Sequence, residues 1–394
     1  MSDATTPVIL AARRTPIGKF LGGFGRVPAP ELGAAAIQAA ITDAGLEAGH
    51  IDEVFMGCVL QAGVGQNPAR QAALKAGIPD TVTAVTINKV CGSGLEAVMQ
   101  AARAIKAGDI DVAIAGGMEN MDLAPHFAHV RGGVKYGPAT MQDHMAHDGL
   151  TCAFENWPMG NAAEWVADEY GVTREDQDRF SAQSHQRAEA AWAAGHFDNE
   201  VVTMSAEQCH ARAGVEQDEG IRAGSTAESL AKLRPAFTKT GSVTAGNASQ
   251  ISAGGAAVVV TSLAKAKELG LTPLATITDY NTAGIEPKKL FFAPALGIAA
   301  LLEKNGLTQA DIDLFEVNEA FAAQVLADIK YLGIAEDKVN VCGGGVALGH
   351  PIGASGARVL VTLLHQLTRT GGKKGVCSLC LGGGNAVSML VEMA

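Results

Sequence analysis

Cys91 stands where a thiol can be made reactive. It follows an apolar run through Ala84 to Asn88, opens Cys91-Gly92-Ser93-Gly94, and precedes Leu95, Val98, Met99, Ala102 and Ile105 at helical spacing. At a strand-to-helix junction the unpaired backbone N–H groups and the helix dipole stabilise an anion, which lowers a thiol's pKa from about 8.5. Gly92 and Gly94 would let backbone approach a bound carbonyl and leave amides free to hold an oxyanion. The same letters fit a buried packing cysteine, since free cysteines are commonly inert.

Three further positions share this double reading. His350 lies in Gly349-His350-Pro351-Ile352-Gly353-Ala354-Ser355-Gly356, where it is a base for a distant thiol or a turn cap. Asn318 opens Asn318-Glu319-Ala320-Phe321 after the strand-like Leu314 to Val317, as an N-cap or as a holder of a water or carbonyl oxygen. Cys380 follows Cys377 by three residues. That segment reads as a strand, whose positions three apart face opposite sides, so the pair is neither a redox motif nor half a zinc site. His126, His129, His144 and His147 sit in loop-like sequence and read as solvated, with no metal expected. Neither Gly22-Gly23-Phe24-Gly25 nor the His350 loop has the spacing of a dinucleotide or P-loop fingerprint.

The elements that must position these residues repeat a plan. An apolar strand, a Gly-rich turn, an amphipathic helix, another strand and a glycine cluster occur around Cys91 and again from Val339 to Gly384. Alternation of this kind predicts α/β layers with mainly parallel sheets. Between the halves, about 122–246 holds all three tryptophans and many charges and reads as an inserted, α-rich loop domain. Helices are predicted over Ala162–Tyr170 and Arg174–Ala194, with loop over Gly214–Gly224. The domains expected are 1–263, containing the insertion, and 270–394.

Composition bounds the function. With 47% hydrophobic and 18% charged residues the chain can bury a large core, and no stretch reaches the roughly 18 apolar residues of a membrane span. A net charge of −11 argues against a nucleic-acid partner. Seven cysteines, mostly in apolar or Gly-rich surroundings, do not suggest a disulfide framework. With neither a signal nor a transit segment in the polar start, a cytoplasmic protein is expected.

Taken together, Cys91-Gly-Ser-Gly, Asn318-Glu-Ala-Phe, Gly349-His350-Pro-Ile-Gly-Ala-Ser-Gly and Cys380-Leu-Gly-Gly-Gly resemble the four active-site motifs of the thiolase family, in family order. The likeness begins at Arg14-Thr15-Pro16-Ile17-Gly18, includes Gly65 to Arg70 and Gly246-Asn247-Ala248-Ser249, and covers nearly the whole chain. It implies a thiolase-like α/β fold, two similar halves packed as αβαβα layers with an inserted loop domain. It also implies acyl transfer between coenzyme A thioesters: Cys91, activated by His350, takes the acyl group, and Cys380 removes an α-proton from a second acyl-CoA. One oxyanion site is then His350 with a water on Asn318, the other the N–H groups of Cys91 and Gly382. Coenzyme A contacts are implied at Arg222, Ser229, Ser249 and Met159, with Leu150, Phe237 and Phe321 as apolar walls. Acyl-CoA and CoA are substrates, no cofactor is implied, and a homodimer or homotetramer is.

The expected reaction is condensation of two acetyl-CoA to acetoacetyl-CoA, or its reversal by thiolysis. A 3-ketoacyl-CoA thiolase of broader chain length is the rival. Pro158 stands where short-chain members have His, Phe291 where they have Gly, and Ala253 where biosynthetic members have Asp. A non-catalytic CoA- or lipid-binding relative would have lost the cysteines or the histidine. A decarboxylating ketosynthase would lack the second cysteine.

Overall fold

Runs rich in Val, Ile and Ala become strands, and segments with an apolar residue every three or four positions become helices. The computed structural model describes residues 2–394. Its strands are β1 (Pro7–Arg14), β2 (Gly18–Lys19), β3 (Glu53–Gly57), β4 (Thr83–Ile87), β5 (Val112–Asn120), β6 (His126–Phe127), β7 (Gln142–Asp143), β8 (Ser252–Ser262), β9 (Ala275–Gly284), β10 (Leu314–Val317), β11 (Lys374–Leu381) and β12 (Asn385–Met393). The α-helices are α1 (Ala29–Ala44), α2 (Pro68–Lys75), α3 (Ser93–Ala107), α4 (Met159–Tyr170), α5 (Arg174–Ala193), α6 (Ala227–Leu230), α7 (Leu263–Glu268), α8 (Ala293–Lys304), α9 (Ala322–Leu332) and α10 (Ser355–Thr370).

The main sheet runs β10-β11-β12-β9-β1-β8-β5-β3-β4, with β2 added to β8 and β6–β7 a separate ribbon. Its middle is a thin joint, since β1 and β9 pair only at Val8↔Thr276 and Ile9↔Ala275. On either side of the joint the strands take one order. Numbered within its half, each runs third, second, fourth, fifth, first, the third place of the second half being a single parallel bridge between Phe315 and Val339. The plan read twice in the sequence is therefore one topology used twice.

Helices α3 and α10 pack on each other in the middle layer and touch strands of both halves, while α1 and α2 cover one outer face and α8 and α9 the other. The predicted apolar faces meet there: Leu95, Val98, Met99 and Ile105 of α3 share a core with Val359, Leu360, Leu363, Leu364 and Leu367 of α10. The crossing needs glycine on both sides. A Cβ on Gly94 would lie 2.6 Å from the Ala357 nitrogen, and one on Gly356 would lie 2.3 Å from the Leu95 nitrogen. Gly94 thus serves helix packing, not the close approach of a substrate carbonyl.

Strand direction departs from expectation. Only β3–β4, β3–β5 and β10–β11 are parallel, and the other pairs in the main sheet are antiparallel. The parallel pairs each lie within one half and are linked by helical crossovers, α2 and α3 in the first half and α9 and α10 in the second. By contrast β11 returns into β12 through Gly382-Gly383-Gly384, and β5 returns into β8 after the long excursion of 121–251. β8 is buried along its whole length because helices cover both faces, so its unbroken apolar run reported burial and not direction. Within the excursion, α4 and α5 match the predicted helices closely, and 214–224 is irregular.

Candidate active site

Cys91, the expected nucleophile, is delivered by a strained turn. Val90 has φ 48°, a left-handed conformation that costs a β-branched residue about 1–3 kcal/mol. Asn88 Oδ1 accepts the Val90 N–H at 3.1 Å, and the Val90 carbonyl accepts from the Ser93 N–H at 3.0 Å and Oγ at 2.6 Å. The turn throws Cys91 out at the start of α3, partly exposed to a cavity of about 850 Å³. Cys91, His350, Cys380 and Gly382 all line that cavity, although 259 residues separate Cys91 from His350.

His350 is held on both ring nitrogens. Ser355 Oγ lies 2.6 Å from Nδ1 and donates its one hydrogen to the Pro351 carbonyl at 2.9 Å, so Nδ1 carries the ring proton and Nε2 a lone pair. Asn318 Nδ2 sits 3.4 Å from that Nε2. Asn318 does not line the cavity but stands behind the imidazole, wholly buried, with an Oδ1 that has no partner in the chain. The backbone N–H of His350 is accepted by the Gln250 carbonyl at 3.1 Å and by Ser252 Oγ at 3.2 Å. Burial and the nearby Arg358 charge push the imidazole down to about 3, so it is neutral at pH 7.

The thiols behave otherwise than their positions suggest. Burial pushes Cys91 up to about 12, against the pull of the Cys91 and Gly382 N–H groups on its sulfur, with the buried Glu119 adding to the rise. The expected lowering at a helix start is outweighed, because desolvation of the thiolate exceeds what two amides return. Burial likewise raises Cys380 well above an ordinary thiol, reinforced by its coupling to the neighbouring acidic groups of Cys91 and Asp328. Cys377 and Cys380 enter opposite core layers, as their strand spacing predicts.

Around this centre the cavity wall includes Leu150, Pro158, Met159, Phe237, Ser249, Phe291 and Phe321. Phe321 meets Phe291 edge-on at 5.2 Å and Phe237 at 6.2 Å, a wall of three rings. A Cβ on Gly160 would strike the Phe237 ring at 2.2 Å, so this glycine gives the ring its place. Arg222 is exposed at the mouth with Nη1 3.4 Å from the Ala245 carbonyl. Ser229 stands apart: it does not line the cavity, and its Oγ closes a capping box with Thr226 at 2.7 Å and 3.1 Å.

His144 and His147 both reach Asp148, at 2.7 Å and 2.5 Å, while Phe127 lies edge-on to His129, His144 and His147. Among the described residues no group of three or more His, Cys, Asp or Glu side chains is arranged to hold a metal.

Sequence reasoning missed Ser355, Ser252 and Glu119. Ser355 lay inside the His350 motif, and its five-residue offset across a proline turn was a usable signal. Glu119 offered none. It is wholly buried at the end of β5, accepts the N–H groups of Val59 at 3.0 Å, Leu60 at 3.2 Å and Gly353 at 3.0 Å, and is raised to about 7 by burial.

The chain's likenesses agree with this geometry. The Thiolase, N-terminal domain family matches residues 7–264, and the Thiolase, C-terminal domain family matches 271–393. An acetyl-CoA acetyltransferase of Cupriavidus necator is 53% identical over 393 residues, covering 98% of this chain and 99% of the relative. A probable acetyl-CoA acyltransferase of Staphylococcus aureus is 50% identical with the same coverage. The crystal structure of the Bacillus anthracis acetyl-CoA acetyltransferase superposes with TM-score 0.96 at 44% identity, covering all of both chains. Two thiols, a neutral histidine and free backbone amides facing one cavity, on a fold and sequence shared from end to end, place the chain in the thiolase family.

Proposed function

We propose that the chain is an acetyl-CoA acetyltransferase, which condenses two acetyl-CoA to acetoacetyl-CoA and runs the reverse thiolysis. The observation that carries this reading is the convergence of Cys91, Cys380 and His350 on one cavity. Relatives named for this activity match along nearly the whole chain.

In the first half-reaction His350 Nε2 takes the Cys91 proton as the sulfur attacks the thioester carbonyl. A thiol held near 12 does not sit ionised at pH 7, so the proton leaves during attack, to a neutral imidazole already in place. The tetrahedral oxyanion forms where the Cys91 and Gly382 N–H groups point, and its collapse expels CoA sulfur, which takes the proton back from His350.

In the second half-reaction Cys380 yields its proton to the neutral His350 Nε2 and, as thiolate, accepts the α-proton of a second acetyl-CoA. A thiol whose pKa is raised is the stronger base for so weak an acid. The protonated His350, through its Nε2–H, and a water on Asn318 stabilise the enolate oxygen, the carbanion attacks the acyl carbon on Cys91, and the Cys91 thiolate leaves. The Cys91 thiolate then takes the proton from His350, which leaves both thiols protonated and the imidazole neutral, as at the start. Coenzyme A extends past Met159, Ser249 and Arg222, with Leu150, Phe237 and Phe321 against its apolar part; Ser229, beyond the cavity, would reach only its outer end.

A broader 3-ketoacyl-CoA thiolase is favoured by one feature, the aromatic wall at Phe291. Comparison of kcat/KM for thiolysis of acetoacetyl-CoA and longer 3-ketoacyl-CoA decides: preference for the four-carbon substrate supports the first reading. We also propose a homodimer or homotetramer, supported by the apolar side chains exposed beside the β6–β7 ribbon, Val130, Val134, Tyr136 and Met141. Light scattering showing a monomer would contradict it.

A further inference from the structure

Helix α5 makes no contact with the reacting atoms, yet two adjacent side chains on it reach the two ends of the site. His185 is buried, and its Nδ1 accepts the backbone N–H of Arg222 at 3.2 Å. Nδ1 must then carry a lone pair and Nε2 the proton, the neutral tautomer, in keeping with burial and the Arg222 charge that push this imidazole down to about 4. Gln186 Nε2 donates to the Ser225 carbonyl at 2.9 Å, and Glu189 accepts the Gly224 N–H at 3.3 Å. The 222–225 loop closes on itself through Ser225 Oγ to the Arg222 carbonyl at 2.7 Å. Three residues within two turns of one helix thus grip the loop that presents Arg222 at the cavity mouth.

Ser184 points elsewhere. Its Oγ donates to Glu319 Oε2 at 2.7 Å and accepts the Gly344 N–H at 3.1 Å, both buried. Glu319 also accepts from Asn340 Nδ2 at 2.9 Å and from the Val346 N–H at 3.1 Å. It follows Asn318 directly, and 344–346 begins the glycine loop leading to His350. The carboxyl is thus a knot joining the Asn318 turn, that loop and α5.

We propose that Ser184 and His185 are positioning residues, with α5 acting as a strut that holds the Arg222 loop at a fixed place relative to the Asn318 turn. His185 sets the coenzyme A end through the Arg222 backbone, and Ser184 sets the reacting end through Glu319. The inference rests on the reading of Arg222 as a coenzyme A contact and Asn318 as an oxyanion-site residue.

Because the two side chains serve different ends, their removal separates KM from kcat. His185→Leu leaves the part-buried Arg222 N–H without its acceptor and frees the loop. KM for acetyl-CoA should rise about fivefold with kcat within twofold of wild type, and His185→Gln, whose amide can accept the same N–H, should recover most of the loss. Ser184→Ala should lower kcat about tenfold with KM within twofold, and Ser184→Thr, which keeps the hydroxyl, should recover it. Arg222→Met is the control for the underlying reading and should raise KM. If Arg222→Met raises KM and His185→Leu does not, the strut is overturned while the coenzyme A reading stands. If Arg222→Met leaves KM unchanged, that reading fails and the inference falls with it. If both α5 variants lower kcat and raise KM alike, with the same fall in melting temperature, the residues only support the fold and the proposal is refuted. Should the leucine variant fail to fold, His185→Asn replaces it, since the shorter amide stays polar but falls short of the Arg222 N–H.

Discussion

Replacing Gly356 by alanine tests whether the α3–α10 crossing sets catalytic geometry. The added Cβ would lie 2.3 Å from the Leu95 nitrogen and 3.1 Å from both the Gly94 carbonyl carbon and the Leu95 Cβ. The nearest of these atoms are backbone within a helix, so no side chain can swing aside and the helices must part. Overpacking costs about 1–3 kcal/mol, and the backbone clash puts this case at the upper end, about 3 kcal/mol. Parting the helices also moves Cys91, three residues before Gly94, away from His350, six residues before Gly356. Misplacement of about 1 Å can cost a hundredfold in rate. The assay pairs a denaturant melt with the single-turnover rate of CoA release from acetyl-CoA. Gly356→Ala should lose about 3 kcal/mol and about a hundredfold in acylation. Gly49→Ala, where a Cβ meets nothing within 4 Å, should change neither. A Gly356→Ala enzyme with wild-type acylation would refute the argument that this contact sets the geometry.

Two further outcomes follow from the same structure. The His185 imidazole, lowered to about 4, refuses in the folded state a proton that the unfolded chain takes up below about 6.5, so its contribution is intact above that pH and lost as pH falls. The stability difference between wild type and His185→Gln should shift against the wild type by about 2 kcal/mol from pH 7 to pH 5, read from denaturant melts; a constant difference would contradict the buried neutral tautomer. Phe291→Leu removes one ring from the apolar wall at Phe321 against which a longer acyl chain would pack, and kcat/KM should move about tenfold away from longer 3-ketoacyl-CoA relative to acetoacetyl-CoA, whereas an unchanged ratio would remove Phe291 from specificity.

What the sequence disclosed and what it withheld divide along physical lines. The helix faces of α3 and α10 and the helices of the insertion were legible because periodicity is local. Cys91, Asn318, His350 and Cys380 were legible because each carries its chemistry within a short motif. Strand direction was not, since β8 is covered on both faces and its Val-rich run is the same whichever way its neighbours point. The role of Gly94 was misread because the atom that excludes a side chain belongs to Ala357, more than 260 residues away. The thiol pKa was misread for a related reason: the helix start is local and favours a thiolate, whereas burial comes from the assembled fold and wins. Glu119 and Ser184 act through partners distant in the chain, and nothing in their neighbourhoods announced them.

The division of labour between the two thiols is tested most directly by acyl labelling, with radiolabelled acetyl-CoA and the Cys91→Ser and Cys380→Ser enzymes run beside wild type. Cys91→Ser should retain no protein-bound label, while Cys380→Ser should be labelled yet form no acetoacetyl-CoA. Condensation at the wild-type rate by Cys380→Ser, or full thioester labelling of Cys91→Ser, would contradict the roles assigned here.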